Sequence, residues 1–419
     1  MPDNKLAGPG GIAAAHQDLG ADEKAILSAQ RIPALRSLFT RLWRVKLSLQ
    51  FTGWLQYIPS AMLALACFLI AGLVHLLGGA RAANLFYLVG ILLLALLIFD
   101  LATVKFRLRP RERLPERNDN LDVFDLMRAR RSCRSFQTRK LTPAAYGELM
   151  EHVCTRSKGP TIGTAPVRFE YVSAPLSVWP TVNATEFLVA IAPLQYDRLA
   201  VLDVGRTLQK IVIDATRMGL ATCWIGPGAD HASIMQHLGA RFRPEEDHII
   251  CVCAVGYKSW FIPVFLRIFN AQFRRRLPIG KLFYVDPQLR EPINVNAYPF
   301  NRFGRNYEVC QWAPSSYNGQ TTRCAAVMER NGRGREPYRE QLPHLARFDF
   351  YSTTESRYYA PVAAGVWCAN WEMGCEALGI PGHFVVLSPE ERAGKDEPAR
   401  LSPPLYNVSW KLDFASDFR

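Results

Sequence analysis

The chain of 419 residues is short of the signatures that several chemistries require. Its ten cysteines include no Cys-x-x-Cys pair and no zinc-finger spacing with histidine, which excludes the common structural zinc modules and a dithiol redox motif. Its eight histidines are scattered and contain no His-Glu-x-x-His, so a metal site is not expected. There is no Gly-x-x-x-x-Gly-Lys-Ser/Thr loop for a nucleoside triphosphate. Cys251 and Cys253 alternate along a strand-like run and other cysteines sit inside apolar helices, the pattern of reduced core thiols in a reducing compartment. The net charge of +13 could suit nucleic acid, but the basic runs lack interleaved stacking aromatics, and no nucleic-acid partner is expected.

What the chain does have is charge gathered around apolar runs. Residues 1–30 are rich in Gly, Ala and small polar residues and read as a mobile tail. Residues 31–57 are basic and amphipathic: Leu35, Leu38, Phe39, Leu42 and Trp43 recur at helical spacing among Arg36, Arg41 and Arg44, as in a helix lying on a membrane surface. From Ile58 to Leu77 and from Ala82 to Phe99 there is no charged side chain, and each run is close to the roughly 20 residues that a helix needs to cross a bilayer. Gly78-Gly79-Ala80-Arg81 leaves room only for a tight hairpin, so residues 58–104 form a two-helix transmembrane hairpin in this reading. Lys105, Arg107, Arg109, Arg111, Arg113 and Arg117 follow it, the pattern of headgroup-anchoring residues. With basic residues on both outer flanks and only Arg81 at the tip, the expected localisation is a multi-pass membrane protein with its soluble part on the cytoplasmic side. Asp100 is expected at the membrane interface.

From Asn118 the pattern is mixed α and β, divided here into residues 118–290 and 291–419. The stretch Arg130-Arg131-Ser132-Cys133-Arg134-Ser135-Phe136 packs three arginines and a hydroxyl into five positions after a short helix. Guanidinium forks and a serine hydroxyl can hold a phosphate, and a solvated basic turn or a membrane-facing cluster accounts for the same residues equally well. Two helices ending in Gly219 and Gly379, each followed by a strand, suggest a duplicated unit of roughly 130–150 residues. The apolar segment from Trp260 to Phe273 either packs under the domain or touches the bilayer, and membrane contact is the favoured reading.

Four landmarks in order resemble the nitroreductase family of flavoproteins: Arg-Arg-Ser-x-Arg-x-Phe at 130–136; the helix from Leu202 leading to Thr222-Cys223-Trp224-Ile225-Gly226; Val255-Gly256-Tyr257; and Ala-Pro-Ser-Ser-x-Asn-x-Gln at 313–320. The resemblance covers about 300 residues. In the family two chains pair and each flavin site spans the interface; here the arginine motif survives in the first half and the Ala-Pro-Ser-Ser motif in the second. Their counterparts are only Lys158–Gly163 and Pro299-Phe300-Asn301-Arg302-Phe303. The expected fold class is therefore α+β, a nitroreductase-like fold as an intrachain pseudo-dimer, preceded by the transmembrane hairpin.

The resemblance implies FMN between the halves, with NAD(P)H as electron donor and no catalytic protein nucleophile, since the flavin carries the chemistry. Arg130, Arg131, Ser132 and Arg134 would hold the phosphate and ribityl chain, with Arg276 reaching the phosphate. Pro314, Ser315, Ser316, Asn318 and Gln320 would line the isoalloxazine, which Ile225 and Gly226 would approach. The family continues Gln-Pro-Trp-Arg where this chain reads Gln320-Thr321-Thr322-Arg323. The expected acceptor is a nitroaromatic, a quinone or another conjugated small molecule, lipophilic in keeping with the anchor, and membrane lipid is the other expected partner. Two alternatives share the sequence: reductive dehalogenation on the same scaffold, and a flavin-free pseudo-dimer serving as a membrane scaffold or accessory subunit.

Overall fold

The computed structural model describes residues 41–42, 45–46, 48–50, 53–176, 178–226, 229–272, 275–329, 344–393 and 404–413. The expected tail and most of the basic amphipathic segment lie outside these residues. Two apolar helices come first, α1 (Ile58–Leu76) and α2 (Ala80–Asp100), the second running on through a π-helical turn to Lys105. They pack through small residues, Ala64, Cys67, Ala71, Ala83 and Gly90, which let the backbones approach. A Cβ on Gly90 would stand 3.0 Å from the Phe68 ring. Leu65, Leu69, Leu73, Leu88, Ile91 and Leu92 are exposed on the outer faces.

The remainder is built twice. In the first half α3 (Val123–Ala129) and α4 (Pro143–Ser157) precede β1 (Arg168–Ser173), β2 (Glu186–Pro193), α5 (Arg198–Arg217), β3 (Ala221–Ile225), α6 (His231–Leu238) and β4 (Asp247–Gly256). The antiparallel sheet runs β1-β2-β4-β3. After α7 (Val264–Gln272) and the short strand β5 (Phe283–Tyr284), the second half repeats the plan. It has α8 (Asn306–Gln311), β6 (Thr322–Glu329), β7 (His344–Ser352), α9 (Tyr359–Ala377), β8 (Gly382–Val385), α10 (Pro389–Ala393) and β9 (Leu405–Leu412). Its strand order, β6-β7-β9-β8, matches the first sheet strand for strand, with β5 added in parallel beside β6. β5 thus precedes residue 291 yet belongs to the second sheet.

Alternation decides how each sheet is covered. In β2, Leu188, Ala190 and Ala192 face a core shared with α5, while Phe187, Val189 and Ile191 face a second core with α6. The second half is filled by aromatics around Trp371, with Phe303, Tyr307, Phe348 and Phe350 within ring-contact distance.

The halves meet where α5 crosses α9. A Cβ on Gly205 would lie 2.3 Å from the Val362 carbonyl oxygen, and one on Gly365 would lie 1.9 Å from that of Leu202. Leu202 corresponds to Val362 and Gly205 to Gly365, so the contact is isologous, as at a two-fold dimer interface. These pairs stand 160 positions apart, as do Gly219 and Gly379, which end the two helices at φ +77° and +65°. The sequence expectation of 130–150 residues is therefore too short, and the spacing of those two glycines already carries the true offset.

Two further expectations change. Asp100 is buried and accepts a hydrogen bond from Val264 N at 2.8 Å, so it meets the first residue of α7 rather than the membrane interface. The segment from Trp260 packs against the domain and the base of the hairpin: Leu266 is fully buried with Val104 and Val182, Phe261 meets Phe99 at 6.3 Å, and Phe265 stacks on Trp179. Trp260 and Ile268 are exposed, at 79% and 58%. Arg109 is likewise no surface anchor: it donates to Ser259 Oγ at 2.7 Å and lies over the Phe261 ring.

Candidate functional site

The arginine stretch begins where α3 stops. Asp122 caps α3 by accepting from Asp125 N at 2.7 Å, and the helix is clamped to the second half by Arg128–Glu308 and by Arg305 on Asp122 and Asp125. Phe124, Leu126 and Met127 pack with Val309 and Met373 across the same seam. The chain leaves the helix extended, so Arg130 turns inward at the junction of the halves. Ser132 then bridges Thr222 on β3, Cys133 N donates to the Thr222 carbonyl at 2.8 Å, and Ser135 bridges Val182.

Arg130 is only 5% exposed, and its Nε and Nη1 are buried without a hydrogen-bond partner. Among the described residues no carboxylate pairs with it. Burial, then the like charges of Arg276 and Arg131, push its pKa down to about 10. Arg276 is also lowered, by burial and then by Arg131. Such a cluster, with buried donors aimed at nothing, is the arrangement an anion would complete.

The second half supplies the facing wall. Arg131 and Arg276 both place their guanidinium carbons over the Trp312 ring, at 5.0 and 5.4 Å. Arg276 donates to the Ala313 carbonyl at 3.1 Å and to Asn318 Oδ1 at 2.8 Å. Gln320 Oε1 accepts from Leu277 N at 2.8 Å, and Asn318 Nδ2 donates to the Arg275 carbonyl at 2.7 Å. Ser315 Oγ accepts from Gln320 N at 2.9 Å, closing the loop on itself, while Pro314 and Ser316 are half-buried beside it. Tyr317, Asn318 and Gln320 have φ of +50°, +54° and +46°, a run of left-handed conformations that side chains rarely adopt. Strain concentrated in one short loop is the mark of a site whose shape is over-determined by its surroundings. Thr321 and Thr322 stand where the family has Pro and Trp, and the backbone there is fixed by other means: Arg323 donates to the Gln320 and Thr322 carbonyls at 2.6 and 2.8 Å, and Thr353 N to that of Thr321 at 2.9 Å.

The structure therefore brings Arg130, Arg131 and Arg276 together with the 313–320 loop. Ser132 is exposed beside them on the Thr222 bridge. Arg134 is turned toward α7, where it bonds Asn270. Ile225 lies in the sheet core at the far end of β3 from Thr222, and Gly226 packs under the Tyr359 ring at the start of α9, where a Cβ would stand 3.0 Å from it. Those two residues form a separate flank of the junction. Trp312 is the site residue that sequence reasoning misses, although its place directly before Ala313 was a usable signal. Cys133 is inert: its Sγ is held by the Ser135 carbonyl at 3.0 Å, and burial pushes its thiol up to about 12.

The counterpart position at 158–163 is closed by the protein itself. Buried Asp203 accepts from Ile162 N at 3.0 Å and Gly163 N at 2.8 Å, and Arg206 donates to the Pro160 carbonyl at 2.6 Å.

Residues 122–329 match the model of the family described as "Putative TM nitroreductase". The chain carries a nitroreductase-family domain. A solved structure described as a "putative nitroreductase" from Thermotoga maritima is similar over 72% of this chain and 98% of that one, at 13% identity and TM-score 0.40. A Bacteroides fragilis nitroreductase with bound FMN is similar over 33% of this chain and 89% of that one, at 18% identity and TM-score 0.27. An FMN- and NADPH-dependent nitroreductase from Sphigopyxis sp. is similar over 35% and 92%, at 15% identity and TM-score 0.29. Among curated proteins none matches the chain. The residues at the junction of the halves fit the phosphate of FMN: the orphaned donors of buried Arg130, with Arg131 and Arg276 beside it, form a cationic recess.

Proposed function

We propose that the protein is a membrane-anchored, FMN-dependent oxidoreductase that uses NAD(P)H to reduce a lipophilic conjugated acceptor, a quinone or a nitroaromatic, on the cytoplasmic face. The observation that carries the flavin reading is buried Arg130, with two donors unpartnered, facing a strained loop from the other half. Arg130, Arg131, Ser132 and Arg276 would take the phosphate, with Arg134 at the α7 side. Pro314, Ser315, Ser316, Asn318 and Gln320 would line the ring, and Ile225 and Gly226 would flank it. Bound FMN supplies hydride and electron transfer. The chain's own part is to neutralise the phosphate, to hold the loop amides and side chains in a fixed array, and to keep water out with the packed α5–α9 seam. Membrane anchoring is supported by two helices, Leu55–Leu76 and Ala80–Lys105, that are long and apolar enough to cross a bilayer and leave most of their apolar side chains outside the protein core.

The test is the absorbance spectrum of the detergent-purified protein, with its flavin content. A yellow protein that oxidises NAD(P)H with a quinone is expected. Replacing Arg130 and Arg134 by alanine should weaken FMN binding roughly a hundredfold or more, from the loss of at least two charge-assisted hydrogen bonds. Colourless protein that takes up no added FMN would overturn the proposal in favour of an accessory role.

A further inference from the structure

We propose that the cavity at the base of the hairpin binds the phosphate headgroup of an anionic membrane lipid, an inference that rests on the membrane reading of the hairpin. The cavity has a volume of about 220 Å³ and is walled on one side by the hairpin base and on the other by Leu176, Val178, Trp179 and residues 181–185 of the first half. Its height in the molecule is set by the hairpin. Tyr57 directly precedes α1 and Lys105 is the last residue of the second span, so the cavity opens where both apolar segments end. In a bilayer that level is the headgroup layer.

The lining has the chemistry of an anion site. Lys105 and Arg107 contribute positive charge, and among the described residues no Asp or Glu lines the cavity. Tyr57 is 3% exposed and its hydroxyl is buried without a hydrogen-bond partner, a donor that a phosphate oxygen would satisfy. The Lys105 ammonium lies 4.7 Å from the centre of the Trp54 ring, beside Gly53. Two wall residues, Arg107 and Asn183, hold left-handed backbone at φ +59° and +58°. Arg107 also lines a second cavity of about 210 Å³ with Arg109, Arg111 and Arg139. The single carboxylate there, Glu112, is already engaged by Ser259 Oγ at 3.0 Å and Trp260 N at 2.6 Å. Arg107 therefore stands between two basic recesses, the first of them at the level where a lipid phosphate would lie. The domain wall is joined to the arginine turn by Val182 N to the Arg134 carbonyl at 2.9 Å and Phe136 N to the Val182 carbonyl at 3.0 Å. A lipid seated here would brace the anchor directly against the flavin-site turn.

The experiment uses full-length protein in detergent, offered equal phosphatidylglycerol and phosphatidylethanolamine and read by native mass spectrometry. Phosphatidylglycerol should be retained preferentially. Lys105→Gln with Arg107→Gln should lower that preference roughly thirtyfold, given the usual contribution of each basic residue at a lipid surface. Arg81→Gln at the hairpin tip should leave it intact. Should the double variant lose its thermal transition, Arg107→Gln alone, at an exposed side chain, and Tyr57→Phe decide the matter. Equal retention of both lipids, or a preference that survives these substitutions, would overturn the proposal. Displacement of the lipid by an equal concentration of glycerol 3-phosphate would also overturn it, assigning the cavity to a free phosphate compound. Carbonate washing of membranes separates the two levels: release into the soluble fraction defeats the anchor itself, whereas retention without lipid preference defeats only the cavity's role.

Discussion

At Arg130 the sequence, the geometry and the electrostatics converge. A guanidinium buried without a counter-ion is costly, on the order of several kcal/mol, and two neighbouring arginines increase that cost. Because its folded pKa is about 10, below the ordinary arginine range, the folded state binds this proton less tightly than the unfolded state. The charged form therefore opposes folding at neutral pH, and that opposition is relieved as pH rises through about 10 toward the ordinary arginine range, or when an anion binds. Adding FMN to flavin-stripped protein should accordingly raise its melting temperature, by an amount equivalent to about 2.7 kcal/mol at a hundredfold excess over the dissociation constant. A shift of the same size in Arg130→Ala would contradict the assignment. Cys133, in the same turn, should behave oppositely to a redox thiol. Its buried sulfur should resist alkylation in the native state, and Cys133→Ser should retain flavin and activity within about twofold, as the inertness of buried thiols implies. The motif around these residues was readable because arginine repeated at such short spacing has few uses. Trp312 had a signal in its place before Ala313, but an aromatic before a loop signals core packing as readily as a cation platform.

Among the elements, the crossing of α5 and α9 is the tightest joint. Gly365→Ala would drive a methyl into the Leu202 carbonyl and should cost about 3 kcal/mol or more, read as a lowered midpoint in denaturant unfolding. Beside it, Glu372 accepts from Arg206 at 2.8 and 2.7 Å and meets Lys210 at 2.7 Å. Burial alone would raise its pKa, but the hydrogen bonds and charges of Arg206 and Lys210 prevail and hold it below the ordinary 4.5. A depressed carboxylate stabilises the fold above its unfolded pKa, so this contribution should be lost as pH falls below about 4.5 through the folded value. Glu372→Gln should cost about 3 kcal/mol at pH 7 and flatten that acid limb, measured by unfolding at successive pH values. Helix ends and strands were largely legible from glycine punctuation and apolar runs. The 160-residue offset was present in the same punctuation, from Gly219 to Gly379, but the meeting of the two helices was not legible, because it is expressed in contacts between Leu202, Gly205, Val362 and Gly365.

For the whole molecule, the apolar hairpin and the duplicated body are joined more firmly than a tethered domain would be. The chain should remain with membranes after carbonate washing, and its appearance in the soluble fraction would refute the spanning reading. The sequence could not decide what covers Trp260–Phe273, because an amphipathic apolar helix looks alike whether lipid or protein receives it. In the structure Val264 meets Asp100 and Leu266 is buried against the domain, while Trp260 and Ile268 remain exposed.

β5, carried from the first half into the second sheet beside β6, has one last consequence. Where two separate chains must find each other by mass action, here the partner's effective concentration is fixed by a short stretch of polypeptide and dilution cannot part them. A composite site shared between halves thus becomes independent of how much protein the cell makes. The second copy, released from having to serve an identical twin, could exchange a ligand pocket for internal contacts such as Asp203 on the 162–163 amides.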